Sequence, residues 1–167
     1  IARNFTSNKL SIDIVDYPGE WLLDLALLDL DYDAWSRDAL GRAEPRRDSL
    51  ATPFFAALAG ADPSAKLAEP VAAALARGWT DYLSAAREAG FSDCMPGRFL
   101  LPGDLEGSPA LTFAPLPPGE APRGSLAREF ARRYEAYKRE IVKPFFRAHF
   151  ARIDRQIVLV DALGAIH

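Results

Sequence analysis

The sequence predicts an α/β fold: a partial core of parallel strands carrying a large, mainly helical insertion. Two observations predict it. Runs rich in β-branched residues lie near the two ends, at 10–17 and 155–161, and each closes in Val-Asp, at Val15-Asp16 and Val160-Asp161. Between them, apolar residues recur every three or four positions in at least four stretches, which is the helical repeat. A crossover between parallel strands needs only one helix. Four or more therefore read as an inserted subdomain. The expected bounds are 1–19 and 155–167 for the core strands and 20–154 for the insertion, with a Pro/Gly-rich segment at 95–124.

The first strand carries Ile12, Ile14 and Val15 beside Asp13 and Asp16. It breaks at Pro18-Gly19 and runs into 20–30, a helix apolar nearly all round and so expected to be buried. Ligands in open α/β sheets sit beyond the carboxyl ends of strands. Asp16 therefore stands where a Mg²⁺ water shell could be held. Gly19 has no Cβ, so its N–H could approach a phosphate. Asp-x-x-Gly alone is equally a plain strand-to-helix turn stopped by Pro-Gly. Paired-carboxylate hydrolysis by Asp13 and Asp16 is disfavoured, because residues three apart in a strand point to opposite faces.

A second helix is expected over 33–41, capped by Asp33 and broken at Glu44-Pro45. A third spans 49–60, with Leu50, Phe54 and Leu58 on one face. The fourth runs over 64–89 with Leu67, Val71, Leu75, Trp79, Tyr82, Leu83 and Ala86 in one stripe. Pro70 suits an early turn and Gly90 a C-terminal stop. Residues 95–124 hold seven of the thirteen prolines and five of the eleven glycines. Turns are expected there, with short strands at most near 96–104 and 110–113. Ser125 then caps a long helix whose stripe is Leu126, Phe130, Tyr134, Tyr137, Ile141, Phe145 and Ile153, divided by Pro144 near Lys143.

The 167 residues suit one domain with a real core. The chain does not begin with Met and stops soon after a strand-like run, so it reads as a piece of a longer protein. A net charge of −3 gives no reason to expect a nucleic-acid partner. Charge is unevenly spread: 13–33 holds seven acids and no base, whereas 123–155 holds ten bases and four acids. Such stretches either face each other or solvent, or the basic helix meets a polyphosphate, a membrane surface or an acidic partner. The single cysteine, Cys94, excludes an internal disulfide and points to a reducing, cytoplasmic setting. No apolar run is long enough for a membrane span, since 21–30 is interrupted by Asp24 and Asp29.

Longer strings say more. Asp13-Ile-Val-Asp-Tyr-Pro-Gly-Glu-Trp-Leu-Leu-Asp-Leu25 resembles the Walker B or switch II segment of the YcjX-like family of P-loop nucleotide hydrolases. Pro96-Gly-Arg-Phe-Leu-Leu-Pro-Gly-Asp104, Ser108-Pro-Ala-Leu-Thr-Phe113, Tyr134-Glu-Ala-Tyr-Lys138 and Arg152-Ile-Asp-Arg-Gln-Ile-Val-Leu-Val-Asp161 extend the likeness over nearly the whole chain. The resemblance implies a stress-linked protein that binds and hydrolyses GTP or ATP with Mg²⁺. It implies that Asp16 holds the metal through water, that the Gly19 amide senses the γ-phosphate, and that Glu20 orients or activates the attacking water. Glu20 is equally a first-turn acid favoured by the helix dipole. The family's phosphate-gripping Gly-x-x-x-x-Gly-Lys-Ser/Thr is absent, and no Gly-Lys pair occurs. The piece alone is therefore expected to be inactive and to hold no nucleotide tightly. The other reading is a non-enzymatic helical module docking a protein partner.

Overall fold

The computed structural model describes residues 18–149, together with Ile153 and Arg155. All regular structure among these residues is helical, and no strand or sheet occurs. This corrects the expected α/β fold. The bulk of the chain carries the helical repeat, and it outweighs the two short terminal runs on which that class rested. The expected strands at 10–17 and 155–161, with Asp13, Asp16 and Asp161, lie outside the described residues, Arg155 alone excepted. The nearest thing to strand pairing described is one antiparallel bridge between Lys66 and Ser125.

The order begins with α1 (Glu20–Leu23), which tightens at once into a 3₁₀ turn over Asp24–Asp29. The expected continuous buried helix is thus two short pieces, of which only Asp24 and Leu27 are buried. Helix α2 (Tyr32–Ala43) is capped by Asp31, not Asp33: the Asp31 Oδ1 accepts from the Ala34 amide at 2.7 Å. Helix α3 (Thr52–Ala59) packs on α4 (Glu69–Glu88). Helix α4 begins beside Pro70 and ends before Gly90, whose φ of 90° only glycine adopts readily. Its buried stripe takes Ala72 in place of the expected Val71, which is exposed.

The Pro/Gly-rich segment contains α5 (Gly97–Leu100) after a cis Met95-Pro96 bond, then two 3₁₀ turns over Gly103–Leu105 and Pro109–Leu111. The short strands expected near 96–104 and 110–113 do not form, because glycine and proline favour single turns there. Helix α6 (Leu126–Tyr137) is capped by Ser125, whose Oγ accepts from the Arg128 amide at 3.2 Å. Pro144 cannot supply an N–H to the Glu140 carbonyl. The helix widens into π turns over Lys138–Val142 before α7 (Lys143–His149).

The core is aromatic. Trp35, Phe54, Trp79, Phe113, Phe130, Tyr134 and Tyr137 are all at most 2% exposed. Trp35 stacks on Tyr134 with ring centres 5.1 Å apart, and Phe113 meets Trp35, Phe99, Tyr134 and Tyr137 edge-on. The irregular segment is tied down by polar anchors: the Tyr32 hydroxyl donates to the Ala114 carbonyl, and Arg133 donates to that of Thr112. No helix among the described residues is long and apolar enough to cross a membrane.

Candidate functional site

The chain enters the described region at Pro18 and turns through Gly19. The Trp21 amide donates to the Pro18 carbonyl at 3.1 Å, and the Leu22 amide to that of Gly19 at 3.0 Å. Gly19 has a helical φ of −59° and is exposed, and a Cβ there would meet no atom of the described residues within 4 Å. Neither backbone strain nor crowding by these residues requires glycine at this position. Among the described residues, nothing crowds the turn at Gly19. Glu20 opens α1, and its Oε1 pairs with Arg87 Nη2, from the last turn of α4, at 2.6 Å. Both residues, with Gly19, line a shallow cleft of about 310 Å³ whose other walls are Leu23, Phe91, Ser92, Cys94 and Leu100. Asp16, the expected metal ligand, lies outside the described residues. Among the described residues no cluster of three His, Cys, Asp or Glu side chains could hold a metal ion.

The segment behind Glu20 is fixed by Asp24, Gly97 and Arg98, to which the sequence assigned no site role, and by Tyr137, expected only as part of a packed stripe. Asp24, 2% exposed, accepts from the Gly97 amide at 2.7 Å, the Arg98 amide at 3.3 Å and the Tyr137 hydroxyl at 2.5 Å. Burial pushes its carboxyl up from 3.8 to about 6, against the downward pull of those three donors and of the Arg98 charge. Burial, with the Asp24 charge, holds the Tyr137 phenol well above its ordinary value. Gly97 lies so close to α1 that an added Cβ would sit 1.8 Å from the Glu20 carbonyl oxygen. The Arg98 guanidinium lies 3.3 Å from the Trp21 ring centre, and the Trp21 indole donates to the Leu101 carbonyl at 2.9 Å. A lone acid in the apolar run Leu22-Leu23-Asp24-Leu25 is the signal that could have exposed this hub, since a carboxylate enters a core only when hydrogen-bonded.

Among the described residues the acidic stretch and the basic helix meet through hydrogen bonds: Tyr137 reaches Asp24, and Lys138 Nζ donates to the Leu30 carbonyl at 2.7 Å. Arg132 and Arg133 pair with Glu129 on their own helix, and Arg133 also with Glu69.

The described residues therefore define a helical unit locked to the turn at Gly19 and Glu20. The chain belongs to the YcjX-like family, DUF463, whose model matches residues 1–167. It is 42% identical over 177 residues to the Ras-like GTPase YcjX of Escherichia coli (strain K12), covering 100% of this chain and 38% of that protein. To the Ras-like GTPase YcjX of Shewanella oneidensis it is 36% identical over 178 residues, covering 100% of this chain and 37% of the relative. The chain thus spans less than two-fifths of the length of these relatives.

Proposed function

We infer that this chain is the switch-bearing, helical part of a Mg²⁺-dependent GTP hydrolase. The observation that carries the reading is the exposed Gly19 turn with Glu20 at the edge of a cleft, in a chain whose relatives are named Ras-like GTPases. Asp16 would hold Mg²⁺ through a water, and the ion, when bound, neutralises charge between the β- and γ-phosphates. The Gly19 amide would meet the γ-phosphate, and Glu20 would orient the attacking water. Residues 20–154 would be the helical insertion whose position answers to this turn.

The chain holds no Gly-Lys pair, so the phosphate grip must come from outside it, and the test belongs to a protein of the relatives' full length. GTP turnover should require Mg²⁺ and fall about a hundredfold or more in Asp16→Ala, with weakened binding of GTP. Unchanged hydrolysis in that variant would remove Asp16 from the site. The 167-residue chain alone should show no turnover.

A further inference from the structure

The residue that meets Glu20 comes from far along the chain. Arg87 lies 67 positions away in sequence, on the last turn of α4, yet its guanidinium contacts the Glu20 carboxylate at 2.6 Å. Both partners rise from rigid ground. Helix α4 is anchored just before Arg87 by Trp79, Tyr82, Leu83 and Ala86, all buried, and its end is closed by the Phe91 amide donating to the Ala86 carbonyl at 3.0 Å. Helix α1 is held by the close approach of Gly97 and by the Asp24 hydrogen bonds. The pair itself is partly open: the Arg87 side chain is 49% exposed and that of Glu20 21%. Exposed ion pairs add little to stability. What a guanidinium does well is fix the direction of a carboxylate, because its donors are set in a rigid plane.

We propose that Arg87 is a positioning residue for GTP hydrolysis, holding the Glu20 carboxylate in the orientation that places the attacking water. This rests on the GTPase reading given above. With Oε1 engaged by Arg87, Oε2 is the oxygen that accepts a hydrogen from the water. The water oxygen then bonds to the γ-phosphorus while the bond from that phosphorus to the β,γ-bridging oxygen breaks. The electron pair leaves on the β-phosphate of GDP, and the water's proton passes by way of Oε2 to a γ-phosphate oxygen. The insertion thereby takes part in the reaction: α4 has to be seated on α1 for the water to be aligned.

The test is steady-state GTP turnover by the full-length protein with Mg²⁺. Arg87→Ala should lower kcat about tenfold, the scale of a lost alignment, with KM for GTP unchanged. Arg87→Lys, which keeps the charge and the stem, should fold as wild type and recover part of the rate. In a Glu20→Gln background, Arg87→Ala should cost nothing further, because both residues act through one group. A wild-type kcat in Arg87→Ala would overturn the proposal, as would an equal fall in the Glu20→Gln background. A Lys variant at full wild-type rate beside an unfolded Ala variant would assign a purely structural role and overturn it as well. If the wild-type protein neither binds nor hydrolyses GTP, the GTPase reading falls and takes this one with it. An active wild type with an indifferent Arg87 defeats this inference alone.

Discussion

Asp24 combines burial with three hydrogen-bond donors, and the two effects oppose each other. Its folded carboxyl titrates near 6 against 3.8 for the free group, so between those values the folded state binds more proton than the unfolded. Its contribution is fully present below about pH 4 and is lost as pH rises through about 6; the difference corresponds to about 3 kcal/mol. Tyr137 counters this by donating to the ionised form. Tyr137→Phe should therefore cost about 2 kcal/mol at pH 7, where the bond is charge-assisted, and about 1 kcal/mol at pH 5. The same change should move the Asp24 titration upward. Urea unfolding at both pH values, with carboxyl NMR for the titration, would check it; equal losses at pH 5 and pH 7 would defeat the account. The lone acid in its apolar run marked Asp24 itself, but nothing in the sequence pattern named its partners. These come from 73 to 113 positions away, and local pattern is blind to such distances.

At the level of elements, the helices over 49–60 and 64–89 and the long helix from Ser125 were legible because one apolar face repeats along each. Their starts were less so. Helix α2 begins at Tyr32, one position earlier than the acid expected to cap it, because the β-region backbone of Asp31, not Asp33, turns its carboxylate onto the Ala34 amide. Two neighbouring acids in Asp31-Tyr32-Asp33 offered the same signal, and only backbone direction separates them. Asp31→Ala should lose about 1 kcal/mol of stability and Asp33→Ala less than about 0.5 kcal/mol, read by thermal unfolding. The reverse order would return the cap to Asp33. The division of the long helix near Lys143 was legible from Pro144 alone, whereas the π turns that absorb it were not, since proline says that a ladder must break but not how. For the candidate site, the turn at Gly19 and Glu20 was readable as a string. The arginine facing it was not, because Arg87 lies on the polar side of a stripe that predicts packing only.

Over the whole molecule, the fold class was misjudged because two terminal runs were given the weight that belongs to the helices between them. The segment at 95–124 shows the opposite error. Its prolines and glycines suggested turns with short strands at most, yet it supplies Phe99, Phe113, Ala114 and Leu116 to the core. Phe113 is 0% exposed at the junction of α2, α5 and α6, so Phe113→Ala should cost about 4 kcal/mol. Calorimetry or urea unfolding would measure it. A loss under about 1 kcal/mol would mean that the segment only drapes over a core complete without it.

The three indoles of this chain are unequally placed. Trp35 and Trp79 are sealed at 1% and 2% exposure, while Trp21 is half-buried, between Arg98 and Phe145 and two residues beyond Gly19. Collisional quenchers such as acrylamide will therefore reach Trp21 first. The protein carries a built-in fluorophore at the turn itself, and its emission can follow that turn in solution without any added dye.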